Sequence, residues 1–200
     1  MISETQLALL REWRKQWNLA ERAMKIAEKT NEEYQGPSVL ELRYSGRRIV
    51  EFFDHLDDPS LLVSSEDKIR YAISDCHRAR HDATDHATSI IASRLDEARA
   101  TFGAEAVRNV FAEYPEIITK LAGVRERVSQ SREKRLDRDK FYSIIEDDDL
   151  PTIMKLFERF KASEGELEDN YVRRILVSWG AQWGWIAAII LAVAAWLFPR

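Results

Sequence analysis

The densest chemical cluster in the sequence is CHRARHDATDH, residues 76–86, which holds three of the chain's four histidines. On a helix, residues four apart lie along one side. His77, His81 and Asp85 therefore stack along one edge, and Asp82 meets His86 along another. Two imidazoles at that spacing can share one metal ion, with Asp85 as a third ligand. No glutamate stands between them in the HExxH order, so metalloprotease chemistry is not indicated. The plainer alternative is a solvated polar side with local Arg–Asp and His–Asp pairs, such as Arg78 with Asp82, and no metal or cofactor. The expectation is the plainer one. Cys76 falls on the apolar side and is expected to act as a small core residue.

Within the same cluster, Arg80 and His86 are separated by five residues, with a polar residue directly after the arginine. This resembles the R-x4-6-H motif of the HEPN superfamily, helical bundles that include dimeric, metal-independent endoribonucleases. The resemblance covers at most residues 38–145. It implies that His86 exchanges a proton at a ribose 2′-hydroxyl while Arg80 steadies the phosphate. On a continuous helix six positions amount to about 120°, so the two side chains would converge only across two chains. On this reading His86→Ala and Arg80→Ala abolish RNA cleavage. Both leave the melting temperature nearly unchanged, because exposed polar side chains contribute little stability. No glycine-rich phosphate loop or GxSxG elbow is present; the seven glycines are scattered.

The elements that must position these residues are helices. Pro37, Pro59, Pro115 and Pro151 divide the chain, and almost nowhere does the two-residue alternation of a strand appear. The first helix is expected over 3–34, opened by a capping box of Ser3 and Gln6. Leu10, Trp13, Trp17, Ala20, Met24 and Ala27 form a heptad-like seam, read as bundle packing in preference to a coiled coil with another chain. A second helix is expected over 39–56, with a second capping box of Ser38 and Glu41 and an apolar side of Leu42, Ile49, Phe52, Phe53 and Leu56. A third spans 66–101, capped by Ser64 and Ser65, with Ile69, Ile73, Cys76, Ala83, Ala87, Ile90 and Leu95 inward. After a short helix over 104–114, a fourth long helix is expected over 116–145, using Ile117, Leu121, Val124 and Val128. Its charged stretch SQSREKRLDRDK, 129–140, is expected to project into solvent. The acidic run Glu146 to Asp149 would precede the start of a fifth helix, packed through Ile153, Leu156, Phe157 and Phe160. Ser163, Glu164 and Gly165 are the expected hinge.

Composition sets the class. The chain has 200 residues, 32% charged, with 30 basic against 34 acidic residues, a balance unlike that of a dedicated DNA-binding domain. One cysteine excludes an internal disulfide framework. Residues 175–198 carry no charge and hold four of the six tryptophans. As a helix this run would be roughly 36 Å long, enough for the hydrocarbon core of a bilayer. Gly180, Gly184, Ala188 and Ala192 recur every four residues and would let a second backbone approach.

The expected architecture is therefore all-α: a long-helix bundle (1–165), a juxtamembrane segment (166–174) and a single C-terminal transmembrane helix (175–198). The start of the chain lacks the apolar core of an export signal, and Arg173 and Arg174 precede the run. Both place the body in the cytoplasm of a single-pass membrane protein. The expected partners are the lipid bilayer, a second copy of the chain and an unidentified protein. The expected role is non-catalytic, a tail-anchored interaction or signalling module that self-associates, with no cofactor. The alternative is a membrane-tethered HEPN-like RNase of the toxin or phage-defence type, with RNA as its partner. A pore-forming effector ranks last, since the run has no ionisable residue to line a path.

Overall fold

The computed structural model describes residues 2–30, 36–57 and 64–197. Seven α-helices make up the described chain: α1 (Glu4–Thr30), α2 (Pro37–Asp57), α3 (Ser65–Phe102), α4 (Ala104–Val110), α5 (Tyr114–Glu133), α6 (Arg138–Ile144) and α7 (Leu150–Leu197). No strand occurs among the described residues.

The spine is α3. One end of it is covered by α1 and α2, the other by α4, α5 and the first half of α7. The reason lies in its small residues. Ala83 and Ala87 meet Ala23 and Ala27 of α1, while Cys76 and Ala79 meet Ala20 of α1 and Leu42 of α2. Alanine-on-alanine contact lets helix axes come to the short end of the usual 8–10 Å range. Toward either end of α3 the residues enlarge. Ile69 and Ala72 pack with Ile49 and Phe52, and Ile91 and Leu95 enter a cluster with Ile117, Phe157 and Phe160. The seam of α1 therefore faces α3 of its own chain. Within it Trp13 and Trp17 are half-buried, and the Trp17 ring lies 3.9 Å from where a Cβ on Gly46 would sit.

The caps follow local chemistry. Ser3 and Gln6 exchange hydrogen bonds: the Ser3 amide donates to Gln6 Oε1 at 2.8 Å and the Gln6 amide to Ser3 Oγ at 3.1 Å. Ser64 Oγ accepts from the Asp67 amide at the start of α3. Gly103 ends α3 at φ +88°, where a side chain would be strained, and its amide reaches the Arg99 carbonyl. Ser38, expected to cap α2, lies instead inside a helix that begins at Pro37. Phe53, expected inward, is exposed. Residues 31–35 and 58–63, with the expected end of the first helix and the break at Pro59, lie outside the described residues.

Two departures shape the site. The fourth long helix does not continue to 145. It stops at Glu133, and a 3-10 turn (Arg135–Asp137) turns the charged stretch back as α6. Also, the acidic run stands before the fifth helix as expected, but not at a free helix N-terminus. It forms a widened π turn (Ile145–Asp149) joining α6 to α7 without a break. Pro151 has no N–H for the carbonyl of Asp147 and would crowd it; a wider turn just ahead relieves both.

The transmembrane expectation is overturned. Among the described residues no helix is long and apolar enough to cross a membrane. Absence of charge is not apolarity: the first half of the uncharged run mixes Ser178, Gly180, Gln182 and Gly184 with three tryptophans. The single-pass placement and the cytoplasmic side rested on that span and fall with it. Nor does the expected hinge exist, since α7 runs through Ser163, Glu164 and Gly165. The segment 166–174 belongs to the body: Leu167 is buried, Tyr171 packs edge-on against Phe102, and Arg174 donates to the Phe102 carbonyl.

Candidate functional site

The turned-back α6 lies along the polar side of α3 and meets its histidines. Asp139 Oδ1 stands 2.8 Å from His77 Nδ1 and 3.1 Å from His81 Nε2. The His81 contact is aligned as a hydrogen bond, whereas His77 Nδ1 is close but out of line for one. One ligand atom from each of His77, His81 and Asp139 lies within 4.8 Å of the other two. His81 is almost wholly buried, His77 partly, and Asp139 is 53% exposed, so the cluster opens to solvent on the α6 side.

The surroundings fix the rings. His81 stacks on Tyr142 at 3.8 Å between centroids, and the Tyr142 hydroxyl donates to Asp85 Oδ1 at 2.8 Å. Burial lowers the pKa of His81, with Asp139 opposing, so the neutral imidazole that can ligate a metal is favoured. The contacts with His77 and then His81 hold the Asp139 carboxyl far below the usual carboxylate range. Burial raises the Tyr142 phenol, which remains a donor to Asp85.

A second buried network lies beside it. Arg80 is 3% exposed, and its Nε donates to both carboxylate oxygens of Glu146 at 2.9 Å while Nη2 reaches Ser143 Oγ. Thr84 Oγ1 donates to Glu146 as well. Burial raises the Glu146 pKa and Arg80 opposes it. Further along α3, Asp75 is 1% exposed and bound by Arg48 and Arg78; Arg78 also reaches Glu41. Arg78 thus uses Asp75 and Glu41 for its ion pairs, not the expected Asp82. Cys76 is buried beside Ser45 Oγ, and burial pushes its thiol up to about 11.

No family model, curated protein or solved structure matches this chain.

The site residues named from sequence divide accordingly. His77 and His81 share a site. Asp85 is not its third member, because it accepts from Tyr142; Asp139 takes that place. Arg80 is buried against Glu146 instead of exposed, so its substitution cannot leave stability unchanged. His86 is half-buried. Of the stripe near the end of α7, Gly184 and Ala188 are exposed; Gly180 and Ala192 lie outside the residues whose side chains are described. Sequence reasoning missed Asp139, Tyr142 and Glu146. Their only signal was the clustering of acids and one tyrosine in a stretch too polar to be a packing helix.

Proposed function

We propose that this protein is a helical binding module whose site takes a divalent transition metal ion of the zinc class through His77, His81 and Asp139. The convergence of these three ligand atoms from two elements about sixty positions apart carries the reading. Two imidazoles and a carboxylate suit zinc and its neighbours and leave a fourth position for water or a partner's ligand. Bound metal would tie α6, and the π turn after it, to the spine.

The test is a titration of chelator-treated protein with Zn(II), and with Co(II), whose visible spectrum reports tetrahedral ligation. One equivalent is expected to bind. His77→Ala, His81→Ala and Asp139→Ala should each weaken binding more than about 100-fold, beyond the 10–100-fold typical of residues that only support a ligand. Asp85→Asn should bind as the parent does. Asp139→Ala binding as tightly as the parent, or no binding by the parent, would refute the assignment.

The RNase alternative requires Arg80 to face a phosphate, and its engagement with Glu146 and Ser143 weighs against that. Loss of RNA cleavage in His86→Ala, from an active parent, would restore it.

Self-association keeps support from one observation. Leu176, Val177, Trp179, Trp183, Trp185 and Leu191 are all exposed on the last turns of α7. Apolar surface of that extent marks a protein–protein contact, and a second copy fits beside Gly184 and Ala188, both exposed within it. A Cβ added at Gly184 would meet nothing within 4 Å in the protomer. Gly184→Leu should therefore leave the protomer folded and weaken a dimer by about tenfold or more, read by analytical ultracentrifugation. An unchanged dimer constant would remove this face from consideration.

A further inference from the structure

A cavity of about 450 Å³ opens between α3 and α5, with Asp85 on its lining. Its volume falls in the range of small-molecule sites. The floor is apolar: Leu121 and Val124 are buried and Val128 is half-buried. The rim carries Arg125 and Arg132, two turns apart on one side of α5 and so about 10 Å apart along the axis.

The rim groups are unequally committed. Arg132 stands 3.9 Å from Asp85, whose other oxygen already accepts from Tyr142. The Thr88 hydroxyl is spent on the carbonyls of Thr84 and Asp85. Arg125, Ser129 and Ser89 are exposed and make no hydrogen bond or ion pair among the described residues. Arg125 and Ser129 are one turn apart, and Ser89 approaches from α3 across the groove. Together they present one full positive charge and two hydroxyl donors beside an apolar floor.

We infer that this groove binds a small amphipathic anion, a carboxylate or phosphate head on an apolar body. The guanidinium of Arg125 receives the head, with the hydroxyls of Ser129 and Ser89 donating to its oxygens. The chain or ring lies against half-buried Val128 and the edges of Leu121 and Val124, where its own apolar surface leaves water. Two arginines against one acid set the preference for an anion over a cation.

The probes are octanoate and octyl phosphate, with decyltrimethylammonium as the cationic control, added to the metal-free full chain. Amide NMR shifts are followed together with a binding isotherm. Saturable shifts are expected around 85–89 and 121–132 for one or both anions and not for the cation. A response to both would place the recognition in the shared charge, and a response to one would identify the head group. Arg125→Glu should weaken binding by at least about tenfold, and Ser89→Trp should fill the groove and do the same. Both positions are exposed, so the melting temperature should hold. Shifts confined to the apolar end of α7, equal binding of the cation, no binding of either anion, or unchanged affinity in Arg125→Glu would each overturn the inference.

Discussion

Arg80→Met should destabilise the protein by about 3–5 kcal/mol, because it leaves the Glu146 carboxylate buried without its charge partner. In a chain of this size each kcal/mol corresponds to about 2–4 °C of melting temperature, so a fall of roughly 6–20 °C is expected. The effect has a pH signature. Burial raises the Glu146 pKa, and Arg80 is the largest influence opposing it. Without Arg80 the folded-state pKa rises further above the unfolded one. The native state then binds the proton more tightly, and stability falls as pH climbs through that window. The loss relative to the parent should thus be smaller at pH 5 than at pH 7.5. Adding Glu146→Leu should recover most of it, since replacing both members of a buried pair by apolar groups is often close to neutral. Recovery should be incomplete because Thr84 and Ser143 lose their acceptor and partner. Thermal melts of the single and double variants decide the matter; a loss below about 1 kcal/mol for Arg80→Met would mean that water reaches Glu146.

The arrangement of polar groups around α3 explains what the sequence could and could not disclose. The inward positions Ile69, Cys76, Ala83, Ala87 and Leu95 repeat at helical spacing, and all are buried. The same logic found Ile117, Leu121 and Val124 on α5 and Ile153, Phe157 and Phe160 on α7. The capping box at Ser3 and Gln6 is local chemistry and was readable for that reason. Periodicity says which side of a helix is buried, but not which distant helix lies over its polar side. His77 and His81 could be paired from their spacing, yet the choice between Asp85 and Asp139 depended on where the chain turns after Glu133. A uniformly charged stretch carries no apolar signal for that turn. Arg80 misled for a related reason. An arginine among histidines and aspartates reads as solvated, and only the approach of Glu146, sixty-six positions later, makes a buried site for it. The uncharged run at 175–198 departs in the opposite sense, because freedom from charge is not depth of apolarity.

The helix α7 joins two unlike halves, and Phe160→Ala separates them. Phe160 is fully buried, 5.7 Å between ring centroids from Phe111 at the end of α4 and 6.2 Å from Phe157. The core cluster it belongs to draws on α3, α4, α5 and α7, so no single element can move in to close the space that truncation leaves. The expected cost is about 3–5 kcal/mol, the sum of lost transfer free energy and an unfilled cavity. Ile189→Ala, at an exposed position on the same helix, should cost less than about 0.5 kcal/mol. Urea denaturation checks both: the midpoint should drop for Phe160→Ala with the slope unchanged, since the surface exposed on unfolding is nearly the same. The contrast carries the structural claim. If Phe160→Ala were as mild as Ile189→Ala, the first half of α7 would not be part of the core. The π turn ahead of it, with Glu146 and the backing it gives to Arg80, would then lose its anchor.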